Sequence, residues 1–241
     1  MKILIITGAS KGLGKAIATY YSKNSYQVIS LSRSQSKELE GIRQIACDLS
    51  KLDEAEQIFR DTLKEVINSK PESITLIHNA GSLGEINTLE NIPAQNIKAT
   101  VTINYTAPLL LSSVFIKETE QLTIPRKLRT ISSGAANGAY HGWSVYCSNK
   151  AAVDSFTRVI GIEQASAKNP AHAIAIYPGV VDTGMQTQIR NSSEGAFSNV
   201  ERFKTMKENG DLASPESVAK LIYKIDTDSS INNGEIVDVR N

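Results

Sequence analysis

Cysteine is nearly absent from this chain: Cys47 and Cys147 are the only two in 241 residues. Two thiols in a chain this long make no disulfide framework, and both read as reduced, which points to the cytoplasm. An excess of charge of one sign is also missing. The 26 basic and 25 acidic residues leave a net charge of +1, so nothing marks the chain for nucleic acid or an anionic membrane surface. No stretch approaches the ~20 apolar residues of a membrane span. After Met-Lys the apolar run "ILIITG" is short and flows into a glycine turn without a small-residue cleavage site. It reads as a first strand rather than a signal peptide. Internal repeats, low-complexity tracts and Pro/Gly/Ser linkers are absent as well, and no metal site is expected.

What is present is ordinary globular material, with 41% hydrophobic and 21% charged residues. Short apolar runs alternate with longer segments of helical period. The strands are expected at 2–7, 26–31, 43–48, 73–79, 128–133, 172–178 and 235–239, and the helices at 12–23, 51–68, 95–119, 144–167 and 215–224. Several strands are apolar almost throughout, as strands covered on both faces must be. The alternation predicts an α/β fold: a Rossmann-type, doubly wound, parallel seven-stranded sheet with helices on both faces, in a single domain over 1–241. Ser50 followed by Glu54, and Ser214 followed by Pro215, mark helix starts. Residues 184–213 break the pattern. This segment is polar, glycine-punctuated and too long for a simple connection, which suggests a lid.

The first strand ends in "TGASKGLG", residues 7–14, with Gly8, Gly12 and Gly14 at the entry to a helix. Glycine removes the Cβ that would keep a phosphate from the backbone, and the helix N-terminus presents free N–H groups to an anion. A dinucleotide pyrophosphate fits, with Ser10, Lys11 and Leu13 in the same turn. The second strand ends in "SLSRS". A carboxylate that would hold a ribose 2′-hydroxyl is missing there; Ser32 and Arg33 stand instead. Arg33, helped by Lys11, suits a 2′-phosphate, so NADP(H) is favoured over NAD(H). Asp48 in "CDLS" is placed for the adenine amine, with Leu49 packing nearby.

Tyr146 and Lys150 in "YCSNK" are four positions apart, which stacks them on one helix face. Ser133 lies thirteen positions before Tyr146, Asn104 sits in "TINYTAP", and Asn79, Ala80 and Gly81 follow the fourth strand. With Pro178-Gly179, these motifs in this order resemble the short-chain dehydrogenase/reductase family over nearly the whole chain. The resemblance implies hydride transfer to or from a carbonyl. Tyr146 is then the general acid in reduction. Bringing a phenol from its usual ≈ 10 toward neutrality takes about three units, or about 4 kcal/mol, part of it expected from Lys150 and more from the positive charge of the oxidised nicotinamide. Lys150 also holds the nicotinamide ribose, Ser133 donates to the substrate carbonyl, and Asn104 anchors a water in the proton supply. Pro178, Gly179, Val181 and Thr183 are the matching positions beside the nicotinamide, where the family transfers the pro-S hydride.

Within the family, "GWSVYCSNKAA" (142–152) and "DTGMQTQIR" (182–190) resemble the branch that reduces sepiapterin, or benzil to (S)-benzoin. That likeness implies an α-diketone or similar small carbonyl substrate. Trp143 and Tyr140 would flank the entrance, with Met185, Gln186 and Phe197 of the lid also near substrate. Asp238 falls where sepiapterin reductase anchors its pterin, and where an Asp is also widespread in the family as a structural residue. His141 and Cys147 read as loop and packing residues. Two alternatives stay open: a 3-oxoacyl-thioester reductase, which a basic cluster at the entrance would favour, and a dinucleotide-sensing protein, which loss of Tyr or Lys would favour. The long helices 95–119 and 144–167 resemble those through which family members form homodimers, and a tetramer is also open.

Overall fold

The computed structural model describes all 241 residues. Seven parallel strands run β1 Lys2–Thr7, β2 Tyr26–Ser32, β3 Arg43–Ala46, β4 Ser73–His78, β5 Arg126–Ile131, β6 His172–Tyr177 and β7 Ile236–Asp238. They form one sheet in the order β3-β2-β1-β4-β5-β6-β7. β1 pairs on both sides, Ile5 facing Ile29 of β2 and Leu76 of β4. The chain therefore winds outward in two directions from the β1–β4 seam. In open α/β sheets that seam, outside the carboxyl ends of the strands, is where ligands bind.

Helices cover both faces. α1 (Gly12–Lys23) and α8 (Pro215–Thr227) lie on one, and α2 (Leu52–Asn68), α4 (Ala107–Thr119) and α5 (Ser144–Gln164) on the other. Strand residues alternate between the two layers. Ile3, Ile5, Leu76 and Leu128 join Phe59, Phe115 and Phe156 on the α2/α4/α5 side, whereas Leu4, Ile6, Ile77 and Ile174 join Ile17, Val218 and Ile222 on the other. Burial on both faces explains why these strands read as continuous apolar runs. A third apolar group caps the carboxyl end of the sheet. It contains Trp143, Tyr146, Phe197, Val200 and Phe203.

Strand and helix boundaries fall within a few residues of expectation, with three differences. The long helix before β5 is α3 (Ala94–Val101), a π-turn at Thr102–Thr106, and α4. It is long and apolar enough to cross a membrane by length and composition, against the expectation that no stretch comes near. Leu111, Val114 and Phe115 nevertheless pack into the core. Ser50 does not cap α2; it bonds back to Asp48, with Oγ donating at 2.8 Å. Ser214 does cap α8, accepting from the Ser217 N–H at 3.1 Å, with Pro215 in the first turn. Residues 184–213 form two short helices, α6 (Gly184–Arg190) and α7 (Val200–Glu208).

Candidate active site

The glycine turn is built by close backbone approach. Gly8 has φ +71°, and a Cβ on it would stand 2.8 Å from the Ala80 Cα. A Cβ on Gly14 would stand 2.3 Å from both Asn79 Nδ2 and the Gly8 carbonyl. The β1 and β4 turns thus interlock. Asn79 Nδ2 donates to the carbonyls of Thr7 and Gly8 at 3.1 and 3.0 Å, while Thr7 Oγ1 accepts from the N–H groups of Asn79 and Ala80. Gly12 faces Thr183, whose methyl would lie 3.4 Å from a Cβ there. Residues 7–14, 79–81 and 183 therefore form one cradle, made of backbone where side chains would intrude.

The end of β2 closes the cradle. Ser32 is buried, and its hydroxyl accepts from the Ala9 N–H at 2.9 Å, so it braces the glycine turn. Ser34 bonds to Ser10 at 3.3 Å. Between them Arg33 is exposed, as is Lys11, and neither enters an ion pair. Asp48 accepts from the Ser50 N–H and hydroxyl, which hold its carboxyl below the usual range, with Arg33 adding to the effect. Leu49 is buried beside it. Arg33 and Lys11 thus stand at the β2 end as exposed cations outside any ion pair, with Asp48 the carboxylate that feels Arg33.

The reactive group lies at the carboxyl ends of β4, β5 and β6. Tyr146 and Lys150 are stacked on α5, Nζ standing 5.8 Å from the ring centroid. Both are buried, at 7% exposure each. Nζ donates to the Ile131 carbonyl at the end of β5, at 2.7 Å. Burial pushes Lys150 down to about 8, opposed by Asp154. Burial pushes Tyr146 up to about 12, opposed by the Ser133 hydroxyl. Burial is the largest influence on the phenol in the protein alone.

Ser133 follows β5 in extended conformation, its oxygen accepting from the Ala135 N–H at 3.1 Å. Asn104 lies in the π-turn, an irregularity that recurs at functional sites. Its side chain clasps Ser82: Nδ2 donates to the Ser82 carbonyl at 2.7 Å and Oδ1 accepts from the Ser82 N–H at 2.8 Å. Asn104 thereby fixes the loop after β4. A Cβ on Gly81 would lie 3.5 Å from Asn104 Oδ1 and 3.9 Å from Lys150 Nζ, so that loop runs between them.

Above the pair stands an aromatic roof. Trp143 stacks on Phe197 at 4.5 Å between centroids and 19°, meets Tyr146 edge-on at 5.5 Å, and touches Tyr140 and Phe203. Trp143 is buried, and its Nε1 has no partner. Met185 packs against the same group, as does Cys147. Gln186 is buried with Oε1 unpartnered. Residues 184–213 are fastened by Gln188 to the Gly84 carbonyl at 2.8 Å and by Lys207 to Asp182 at 2.6 Å.

Asp238 is bonded within its own turn. Its carboxylate accepts from the Arg240 backbone N–H at 3.0 Å and from Nε at 2.9 Å, which holds it below the usual range. Arg240 lies 3.5 Å from the place of a Cβ on Gly179. Pro178, Gly179 (φ +72°) and Val181 form the turn after β6, where Val181 bridges to Ala213. Sequence reasoning missed Arg240, and also Ser132, Asp154 and Tyr177, which bond together beneath the pair. The spacing of Asp154, four positions past Lys150, was the available signal.

Comparison with known proteins agrees with this geometry. The family model described as "short chain dehydrogenase" matches residues 2–194. The chain is 39% identical over 241 residues to a benzil reductase ((S)-benzoin forming) of Bacillus subtilis, covering 100% of this chain and 99% of that one. It is 27% identical to sepiapterin reductase of Meriones unguiculatus, covering 98% and 95%. The crystal structure of a short chain dehydrogenase/reductase from Saccharomyces cerevisiae superimposes with TM-score 0.85 at 22% identity, covering 100% and 97%. The chain therefore belongs to the short chain dehydrogenase family, oxidoreductases that act on carbonyl or hydroxyl groups with a nicotinamide dinucleotide.

Proposed function

We propose that this protein is an NADPH-dependent carbonyl reductase whose substrate is an α-diketone of the benzil type, with Tyr146 as the proton donor. The observation that carries the reading is the stacked, buried Tyr146–Lys150 pair beside Ser133, under an aromatic roof and next to the glycine cradle. A flat aryl ketone would suit the aromatic surroundings that Trp143 and Tyr140 give Tyr146. The full-length likeness to a benzil reductase supports the same class.

Gly8, Ser10, Gly12, Leu13 and Gly14 would hold the pyrophosphate, Lys11 and Arg33 the ribose phosphate, and Asp48 and Leu49 the adenine. Asn79, Ala80, Gly81, Pro178, Gly179, Val181 and Thr183 would enclose the remainder. When bound, NADPH supplies the hydride for the carbonyl carbon. Ser133 donates a hydrogen bond to the carbonyl oxygen and polarises it. Tyr146, protonated because burial keeps its pKa high, gives its proton to that oxygen as charge develops. Lys150, in its ammonium form, stabilises the phenolate that remains. Asn104 holds the loop that frames Lys150, and residues 184–213 act as a lid that keeps water out.

The protein works in the cytoplasm, where its free thiols stay reduced. It forms a homodimer through α4 and α5, whose outer faces expose Leu109, Val159 and Ile162. The test is NADPH oxidation by the purified protein with benzil, run beside NADH. Fast turnover with NADPH and slow turnover with NADH are expected. Turnover of acyl thioesters but not benzil would replace the diketone with the thioester class.

A further inference from the structure

Asp154 belongs to no motif that points to the reaction, yet it sits at the junction of the site. It is 2% exposed and lies on α5 one turn beyond Lys150 and two beyond Tyr146, on the same face. Its Oδ1 accepts from the Ser132 hydroxyl at 2.6 Å, and its Oδ2 accepts from the Tyr177 hydroxyl. Asn137 Nδ2 donates to the same phenolic oxygen at 3.1 Å. Ser132 immediately precedes Ser133, and Tyr177 immediately precedes Pro178 and Gly179. One carboxylate therefore ties together the helix of Tyr146 and Lys150, the β5 end that carries Ser133, and the β6 end that turns beside the cradle.

The charges are also unusual. Asp154 has hydroxyl partners and no cation within ion-pair distance, and Lys150 has a carbonyl partner and no carboxylate. Neither buried charge is paired directly, which is costly unless each offsets the other. Few other groups intervene. On α5 these are Tyr146, Cys147 and, further along, Arg158, which acts on Tyr177. β6 contributes Tyr177, β5 contributes Ser132 and Ser133, and the π-turn contributes Asn104 and Tyr105. The loop after β4 brings only Gly81 near Nζ. Asp154 is the one carboxylate acting on Lys150, and it favours the ammonium.

We propose that Asp154 is a positioning residue for the reduction: it keeps Lys150 in its ammonium form and fixes the strand ends of Ser133 and Gly179 against the Tyr146 helix. This rests on the reductase reading, because an ammonium at position 150 matters only if it supports Tyr146.

The test uses Asp154→Asn, which keeps the shape and removes the charge. The Lys150 side chain is titrated by nitrogen NMR in the cofactor-free protein, its signal assigned by its loss in Lys150→Met. The midpoint in the variant is expected to fall by about one pH unit. The alkaline limb of kcat/KM for carbonyl reduction should fall with it. Tyr177→Phe, which keeps the charge and loosens the clamp, should lower turnover without lowering the midpoint. Asp154→Ser, also neutral, gives the same reading if Asp154→Asn does not fold. An unchanged midpoint in the neutral variants would overturn the proposal and leave Asp154 a mere strut. A midpoint that falls in a protein whose wild type reduces no carbonyl would sink the reductase reading while leaving the link between Asp154 and Lys150 standing.

Discussion

Arg129 and Lys150 are both buried cations bonded to β5, and their surroundings differ. Arg129, in the middle of the strand, points toward α8 and meets the Asp226 carboxylate at 2.7 Å. Its Nη1 lies within hydrogen-bond distance of the carbonyls of Leu128 and His172 and of His172 Nδ1. Lys150, at the strand's carboxyl end, meets no carboxylate; its recorded partner is the Ile131 carbonyl. The first charge is fixed by a partner in contact. The second is held down to about 8 by burial and is left adjustable. One arrangement serves the fold and the other, in the proposed mechanism, serves a proton transfer, although their contacts on β5 are only two residues apart.

Breaking the Arg129 cluster should therefore cost stability and little chemistry. Asp226→Ala leaves a buried guanidinium uncompensated and is expected to lose about 3–5 kcal/mol, a fall of roughly 10 °C or more in Tm, with turnover per folded molecule nearly unchanged. Thermal unfolding and active-site-normalised kinetics check both halves.

A second buried base sharpens the contrast through pH. His78, wholly buried on β4 and bonded to Ser112 at 3.0 Å, is pushed down to about 3 by desolvation. Below its ordinary 6.5 the unfolded chain binds a proton that the folded protein refuses. Stability must then fall as pH drops from 6.5 toward 3, by up to about 4 kcal/mol. His78→Gln should flatten that part of the stability–pH curve, measured by urea unfolding at successive pH values.

The exposed cations mark the other extreme. Lys11 and Arg33 contribute nothing to an ion pair, so removing both should leave Tm unchanged. The double variant Lys11→Ser/Arg33→Ser should lose about 10- to 100-fold in kcat/KM for NADPH, as expected for charge-assisted phosphate contacts, while NADH changes little. Trp143→Phe should have the smallest effect. Its lost packing is offset by removal of an unpartnered buried N–H, and the net change in stability should stay within about 1 kcal/mol.

What was legible in the sequence follows from distance along the chain. The parallel sheet shows because strands covered on both faces must be apolar throughout. The glycine turn and the Tyr146–Lys150 pair show because their geometry is set within eight residues. Contacts made by tertiary folding were not legible. Arg129 and Asp226 are 97 positions apart, and Ser132, Asp154 and Tyr177 come from three elements. Spacing reveals the charge beside the phenol but not the desolvation that opposes it. The bond from Arg240 to the Asp238 carboxylate, two residues back, was likewise not legible.

The central claim is that Tyr146 delivers the proton in a carbonyl reduction. Its most direct test is NADPH oxidation with benzil by Tyr146→Phe beside the wild type, with NADPH binding followed by fluorescence in both. A loss of turnover of about 10²- to 10⁴-fold with binding intact is the result expected. Turnover within a few-fold of wild type in the variant would contradict the assignment.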